Sequence, residues 1–228
     1  MSDSAYIRSK FEAIGGEFPQ DIEGLAQNLI GNRAWIFDWD GVFNKGHKGG
    51  TLFSTFSEVD SMGINMLRFS HFLQHGALPF TAIISGEYNP AAEQLAKREH
   101  YNAVFFKYRN KVEAVDQICS ENRLKNAEIG FFFDDILDLS VAERCGIRIQ
   151  ADRLAGQLFT QYVRDNKLAD YISASTGGNH AVREACEMLI GLRGNWEQCI
   201  RDRVRFTGPY SDYLEMRNTI ETQVYGKE

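Results

Sequence analysis

The sequence predicts an α/β fold with a Rossmann-like parallel sheet and helices on both of its faces. Short, almost continuously apolar runs alternate along the chain with segments of helical periodicity. Gly, Asn, Asp or Ser bounds each apolar run, as expected for strands that end in turns. Strands without an apolar–polar alternation are typical of parallel sheets that are buried on both faces, and helices between them allow consecutive strands to run in the same direction.

Five strands and four helices make up this alternation. The strands are predicted at residues 34–37, 78–84, 103–106, 129–133 and 147–149. The helices are predicted at residues 61–73, 89–97, 111–119 and 180–190. The second helix has a clear start signal, because Asn89 can cap it and Pro90 stands at its first position.

The segment that follows the first predicted strand interrupts the alternation. Residues 51–57 have an extended pattern, and the glycines of residues 45–50 mark a turn, so we predict a β-hairpin inserted after that strand. The core is predicted to span residues 34–194. Residues 1–33 and 195–228 are predicted to be helical extensions, and they carry no chemical motif.

Composition excludes several classes of partner. The 228 residues carry a net charge of −6 and are 43% hydrophobic, which is ordinary for a soluble globular protein. An acidic balance argues against nucleic acid and anionic membranes, since both require a positive field. No apolar run approaches the roughly 20 residues of a membrane span, and the first ten residues lack the apolar core of a signal peptide. We therefore expect a cytoplasmic protein with no nucleic-acid or membrane partner.

The cysteines do not indicate a metal site. All four are widely separated and form no C-x-x-C pair. In a cytoplasmic chain of this size they are expected to be free and buried, and a zinc site is not predicted.

Polar residues follow four of the predicted strands, at the point where each strand ends or the next helix starts. In chain order they are Asp38 and Asp40, Ser85 and Gly86, Lys111, and Asp134, Asp135 and Asp138. Ligands of open parallel sheets bind beyond the carboxyl ends of the strands. The sequence therefore predicts that carboxylates, a hydroxyl and an amine meet at one edge of the sheet.

This combination suits phosphoryl transfer through a magnesium ion. Clustered carboxylates repel one another unless a divalent cation lies between them, and Mg²⁺ prefers oxygen ligands. A carboxylate attacks phosphorus without a base, so Asp38 is the candidate nucleophile, and an aspartyl-phosphate intermediate divides the hydrolysis into two steps. The glycine after Asp40 lets the chain turn, so that Asp40 can protonate the leaving oxygen. Ser85 and backbone N–H groups near Gly86 can hold phosphate oxygens, and Lys111 can balance the charge of the transferring group.

Each of these residues alone has a more ordinary explanation. A D-x-D sequence is often a loop feature, and Asp134 and Asp135 can cap the helix that follows them. Ser85 can belong to a simple turn, and Lys111 can be an exposed lysine that tolerates an unfavourable helix dipole. The prediction of a catalytic site rests on the order in which the motifs follow successive strands.

That ordered set resembles the motifs of the haloacid dehalogenase superfamily of phosphohydrolases. F-D-W-D-G at residues 37–41 is similar to its first motif and I-S-G at residues 84–86 to its second. Residues 110–111 are similar to the third motif and F-D-D-I-L-D at residues 133–138 to the fourth. Larger members insert a cap domain in one of the first two gaps. Neither gap has room for one here, which implies a capless member.

Other segments resemble one branch of that superfamily. Residues 59–64, the predicted hairpin and residues 175–184 are similar to the 3-deoxy-D-manno-octulosonate 8-phosphate phosphatases and to the related acylneuraminate-9-phosphate phosphatases. The resemblance covers about residues 34–192. It implies a small sugar or sugar-acid phosphate as substrate, Mg²⁺ as cofactor, and a homotetramer in which neighbouring subunits cover the capless site.

The resemblance also implies a role for each acidic residue. Asp38 is implied to be the nucleophile and a magnesium ligand. Asp40 is implied to be the general acid/base and to bind the metal through its carbonyl oxygen. Asp134 is the implied third protein ligand, and Asp135 and Asp138 are implied to support the metal or Lys111.

Two departures from the family pattern keep alternatives open. Phe133 stands where the fourth motif usually has glycine, and Glu87 replaces a basic residue after the second motif. A non-catalytic scaffold whose extensions mediate assembly is therefore a second hypothesis. A receiver-type phosphoacceptor is disfavoured, because receivers carry the phosphorylated aspartate after a later strand.

Overall fold

The computed structural model describes residues 3–48, 54–206 and 208–227. Within these ranges the chain forms one seven-stranded sheet, in which every pair of neighbouring strands is parallel. The strands are β1 Ala34–Asp38, β2 Phe80–Ile84, β3 Ala103–Phe106, β4 Ile129–Phe133, β5 Ile147–Asp152, β6 Tyr171–Thr176 and β7 Gln223–Gly226. Their order across the sheet is β6-β5-β4-β1-β2-β3-β7. The predicted α/β class with a parallel sheet is confirmed.

Helices cover both faces of this sheet. They are α1 Asp3–Glu12, α2 Ile22–Gly31, α3 Glu58–His75, α4 Pro90–Arg98, α5 Lys111–Asn122, α6 Leu139–Ala142, α7 Gln157–Asp165, α8 Ala181–Arg193, α9 Trp196–Arg205 and α10 Pro209–Asn218. Alternate residues of β1 enter opposite cores: Trp35 and Phe37 pack with α2, α3 and α8, whereas Ala34 and Ile36 pack with α5, α6 and α7. Both faces of the central strands are therefore buried, which explains their continuous apolar sequence.

Local signals account for several helix starts. The Asn89 side chain accepts a hydrogen bond from the Ala91 N–H, and Pro90 is the first residue of α4, as predicted. Ser57 caps α3 in the same way, by accepting a hydrogen bond from the Val59 N–H. Of the helices described, none combines the length and the apolar character that crossing a membrane requires.

Two strands were not predicted. β6 contains three Ser or Thr residues, and β7 is a short, mostly exposed edge strand, so neither presents an apolar run. The expectation of helix over residues 195–228 is wrong at its end, because β7 follows α9 and α10 and pairs with β3. β5 is also longer than predicted and continues to Asp152.

The predicted hairpin is only partly accessible to comparison. Residues 49–53 lie outside the described residues. On either side of them, residues 41–48 and 54–57 form turns and irregular chain without strand pairing.

The cysteines match their prediction except that Cys119 is only partly buried. All four are free, and Cys145, Cys186 and Cys199 are buried.

Candidate active site

A cavity of about 480 Å³ opens at the carboxyl edge of the sheet, beyond β1 and β4. Of the predicted residues, Asp38, Asp40, Gly86, Lys111, Asp134, Asp135 and Asp138 line it. A cavity of about 590 Å³ lies elsewhere, between α1 and α9, and contains none of them. The parallel sheet thus brings residues from four separate strand ends to one place, as the chain order of the motifs predicted.

Lys111 joins two of the aspartates. Its Nζ lies 2.5 Å from Asp38 Oδ1 and 2.5 Å from Asp138 Oδ1, and all three side chains are buried. Burial alone would lower the pKa of Lys111, but the two carboxylates raise it above its ordinary value. Lys111 is therefore a fixed positive charge, and the carboxylates offset the unfavourable position at the start of α5.

Asp38, Asp134 and Asp138 form a group that could hold a metal ion. One carboxylate oxygen from each lies within 4.8 Å of the others. Burial, followed by repulsion from Asp38, raises the pKa of Asp134 to about 9 and that of Asp138 to about 7. A divalent cation would remove this repulsion, and a cluster of buried carboxylate oxygens is the donor set that Mg²⁺ prefers.

This group contains Asp38 and Asp134 of the metal set expected from the sequence, and the Asp40 carbonyl as a ligand stays a prediction. The carboxylate of Asp138, expected only to support the metal or Lys111, is the third member of the cluster. Asp40 lies apart from it: Oδ1 accepts a hydrogen bond from Ser54 Oγ at 2.6 Å, and Oδ2 lies 2.5 Å from Lys48 Nζ. The chain between the first two motifs therefore holds the Asp40 side chain at the cavity, and neither Lys48 nor Ser54 was identified from the sequence.

The second motif contributes differently from the expectation. Ser85 is buried and is not among the residues that line the cavity, whereas its neighbours Gly86 and Glu87 are. The Ser85 hydroxyl accepts a hydrogen bond from the Glu87 N–H at 3.4 Å. Contact between Ser85 and a phosphate oxygen stays a prediction.

Asp135 follows the more ordinary of its two interpretations. Its side chain is half exposed, and Oδ1 accepts a hydrogen bond from the Ile136 N–H at 2.7 Å. It therefore caps the short 3₁₀ helix Ile136–Asp138. That helix turns Asp138 back into the site, where Asp138 Oδ2 accepts a hydrogen bond from the Asp134 N–H at 3.5 Å.

The aromatic residues beside the motifs belong to the core. Phe133 is fully buried and stacks on Phe131, with ring centroids 6.0 Å apart. Phe133 does not line the cavity, so a phenylalanine in place of the usual glycine does not block the site. Trp39, between the two aspartates of the first motif, is also fully buried and stacks on Phe43 at 4.8 Å. Its indole thus anchors the loop that carries Asp40.

Arg153 is a site residue that the sequence analysis missed. Its Nη2 donates a hydrogen bond to Asp134 Oδ2, and its side chain lines the cavity. β5 was predicted to end at Ile149, but it ends at Asp152, so Arg153 is the residue that directly follows a strand. A correct strand end would have identified it by the same rule that identified the aspartates.

Comparison with known proteins places this site in context. No family model matches the chain. The 3-deoxy-D-manno-octulosonate 8-phosphate phosphatase KdsC of Escherichia coli K12 is 24% identical over 187 residues, which cover 80% of this chain and 90% of that protein. A probable YrbI family phosphatase from Pseudomonas syringae superposes with a TM-score of 0.66 at 28% identity, covering 82% of this chain and 99% of the other.

A third relative was solved with ligands. The 3-deoxy-D-manno-octulosonate 8-phosphate phosphatase of Moraxella catarrhalis, in complex with magnesium, phosphate and KDO, superposes with a TM-score of 0.65 at 21% identity. The alignment covers 82% of this chain and all of that one. The chain resembles the capless haloacid dehalogenase phosphatases in sequence and in fold. The similarity predicted from the four motifs is thereby confirmed.

Proposed function

We propose that the chain is a magnesium-dependent phosphomonoester hydrolase that works through an aspartyl-phosphate intermediate. The observation that carries the proposal is the position of Lys111, which holds Asp38 and Asp138 together beside Asp134 in one cavity. A lysine used only for stability has no need of a cavity or of a third buried carboxylate. The similarity to phosphatases in sequence and fold supports the same reaction class.

The residues present divide the work of two half-reactions. Lys111 holds Oδ1 of Asp38, which leaves the other carboxylate oxygen to attack phosphorus. Lys111 also offsets the negative charge of the transferring group. Asp40, held by Ser54 and Lys48, donates a proton to the leaving oxygen and later accepts one from the water that hydrolyses the intermediate.

The metal would be held by Asp38, Asp134 and Asp138, with the Asp40 carbonyl as a further candidate ligand. When bound it would neutralise the buried carboxylates and the phosphate oxygens. Asp135 stays outside this set, since its carboxylate caps the adjacent helix.

The substrate is proposed to be a small sugar or sugar-acid phosphate. Lys48, Arg109 and Arg153 line the cavity in addition to Lys111, and Lys48 and Arg153 are paired there with Asp40 and Asp134. Arg109 is exposed and forms no ion pair with the other described residues, which leaves its guanidinium available to an anionic substituent. It supplies a positive charge in a cavity where Glu87 has replaced a basic residue.

The assay uses the purified chain with an aryl phosphate, with Mg²⁺ and with excess chelator. We expect activity that chelation abolishes, and a loss of at least about a thousandfold in kcat for Asp38→Asn, because nothing replaces the nucleophile. Asp116→Asn is the matched control, since Asp116 is an exposed carboxylate paired with Arg144 away from the cavity. Activity that survives Asp38→Asn would contradict the mechanism, and inactivity on any phosphomonoester would favour the non-catalytic scaffold.

Two further measurements refine the proposal. Mass spectrometry of acid-quenched enzyme should detect a phosphorylated chain, which Asp38→Asn should not form. A panel of neutral sugar phosphates and sugar-acid phosphates identifies the substrate class. If Arg109 binds an anionic substituent, Arg109→Gln should raise KM for sugar-acid phosphates more than for neutral ones.

We also propose that the chain forms a homotetramer in the cytoplasm. Ile136, Leu137 and Leu154 are each more than half exposed; the first two belong to the fourth motif, and Leu154 follows Arg153. A second copy packed on these side chains would shield a capless site from water. Sedimentation equilibrium should give four times the 25.9 kDa chain mass. A monomer at all concentrations would exclude this arrangement, and Leu137→Asp should weaken the association.

A further inference from the structure

Arg153 covers the solvent side of a buried carboxylate. Its Nη2 donates a hydrogen bond to Asp134 Oδ2, and its Nη1 lies 3.9 Å from Asp135 Oδ2. The Arg153 side chain is 41% exposed, whereas that of Asp134 is 1% exposed. The guanidinium therefore lies between Asp134 and the solvent of the cavity.

Two different cations pair with the three buried aspartates. Lys111 is shared by Asp38 and Asp138. Among the residues that the structure describes, the cations paired with Asp134 consist of Arg153 alone. Arg153 is thus the group that compensates the third carboxylate.

Charge balance makes Arg153 and a divalent cation alternatives. With all three buried carboxylates ionised, as ligation of a metal requires, Lys111 and Arg153 leave one net negative charge, and a divalent ion added to that set would reverse it to positive. Without Arg153 the net charge is two negative, which a divalent ion neutralises. Movement of the Arg153 guanidinium away from Asp134 therefore favours binding of the metal.

The packing leaves the two cations competing for one carboxylate. Gly41 has φ +91°, and a side-chain carbon there would overlap both Asp134 Oδ2 and Arg153 Nη2. The guanidinium is thus seated against the backbone of the first motif, and Asp134 also belongs to the group that could hold the metal. Because the arginine is partly exposed, its head can move into the cavity without unpacking a core element.

We propose that Arg153 is an internal competitor for the metal site: it pairs with Asp134 while the metal is absent and leaves that carboxylate when the metal binds. The consequence is a metal affinity lower than the three aspartates alone would give. This inference rests on the proposed function in one respect, that a divalent cation binds beside Asp38 and Asp134.

Isothermal titration with MgCl₂, in the absence of substrate, tests the inference. We expect Arg153→Gln to bind Mg²⁺ on the order of tenfold more tightly than the wild type, because a partly exposed ion pair is removed from a ligand. Arg153→Lys keeps the charge and should lie between the two. Arg109→Gln is the matched control, because it removes one positive charge from the same cavity, and among the described residues Arg109 is not an ion-pair partner of Asp38, Asp134 or Asp138. It should change the affinity by less than about twofold.

Stability supplies an independent readout. In chelator, Arg153→Gln leaves Asp134 without its cation and should lower the unfolding midpoint below that of the wild type. At saturating Mg²⁺ the difference between the two midpoints should be smaller. By linkage, the difference between these two effects must match the change in Mg²⁺ affinity.

The outcomes separate the inference from the proposed function. Equal or weaker Mg²⁺ binding by Arg153→Gln, with the wild type binding normally, would overturn the competitor role and leave the phosphatase proposal intact. Absence of Mg²⁺ binding in the wild type and in all three variants would remove the metal site itself, and both proposals with it. Equal gains in Mg²⁺ affinity for Arg153→Gln and Arg109→Gln would show that the loss of any positive charge from the cavity is sufficient. That result would also overturn the inference.

Discussion

Gly41 is the residue on which the approach of the first and fourth motifs depends. Its φ of +91° lies in a region that L-amino acids rarely adopt, and its α-carbon faces Asp134 and Arg153 at close range. A glycine here both reverses the chain after Asp40 and lets the fourth-motif carboxylate reach the first motif. The D-x-D-G order therefore has two separate physical reasons.

Gly41→Ala should separate these two reasons. We expect a loss of about 1 kcal/mol in the free energy of unfolding from the backbone conformation, and in addition a strong loss of Mg²⁺ affinity, because the methyl group displaces Asp134. Gly76→Ala is the control, since Gly76 also has a positive φ, +64°, but open space around it. Urea unfolding and magnesium titration measure both effects. Unchanged Mg²⁺ binding in Gly41→Ala would contradict the close-approach argument.

At the scale of elements, α3 shows how a helix can bury polar groups beside the core. Arg68 donates hydrogen bonds to the carbonyl oxygens of Glu99 and His100, at 2.6 and 2.9 Å. Ser70 donates to Asn195 at 2.6 Å and so ties α3 to the start of α9. His71 is buried on the same helix, and its ring lies against that of His75 with centroids 4.3 Å apart and planes tilted by 35°. The Arg68 and Ser70 contacts tie the helix that follows the first motif to the chain after α4 and to the start of α9.

His71 makes stability depend on pH. Burial, with smaller contributions from Arg193 and His75, lowers the pKa of His71 from 6.5 to about 2. The unfolded chain therefore binds a proton that the folded chain refuses, so the contribution of His71 is complete above about pH 6.5 and is lost as the pH falls towards about 2. Between about pH 7.5 and 5.0 the free energy of unfolding should fall by about 2 kcal/mol through this residue.

Urea unfolding at those two pH values checks this prediction. His71→Gln should show a pH dependence that is smaller by about 2 kcal/mol. His47→Gln is the control, because His47 is exposed, and it should keep the wild-type dependence. Identical slopes for His71→Gln and the wild type would contradict the assignment.

At the scale of the whole molecule, the C-terminal segment returns to the sheet and becomes its edge. β7 pairs in parallel with β3, and Tyr225 stacks on Phe105 with ring centroids 4.6 Å apart and planes 10° apart. Lys227 forms an ion pair with Glu113 in the first turn of α5, the helix that begins with Lys111. The end of the described chain therefore contributes to the framework behind the active site.

Tyr225→Ala tests how much that edge strand stabilises the fold. We expect the free energy of unfolding to fall by about 1–2 kcal/mol, because the ring covers Phe105 and part of the core below β3. Val224→Ala, on the exposed side of the same strand, should change it by less than about 0.5 kcal/mol. Equal effects of the two substitutions in urea unfolding would show that the stacked ring has no special role.

Much of the sheet was predictable because its central strands are buried on both faces. β1 to β4 read as continuous apolar runs, and the polar residue that follows each one marks its carboxyl end. β6 and β7 lack such runs, and their positions depend on pairing with β5 and β3. Edge and half-polar strands are defined by their neighbours, which a local pattern does not contain.

The candidate site was predictable in part, because several of its residues follow the ends of apolar strands. By itself the sequence determined the α/β class and the chain order of Asp38, Lys111 and Asp134, because apolar runs and strand-end residues are local features. Only the tertiary structure decided that the Asp138 carboxylate joins Asp38 and Asp134, that Lys48 and Ser54 hold Asp40, and that Arg153 covers Asp134. Those are side-chain contacts between residues brought together by the packing of separate strands, loops and turns, and distance along the chain does not encode them.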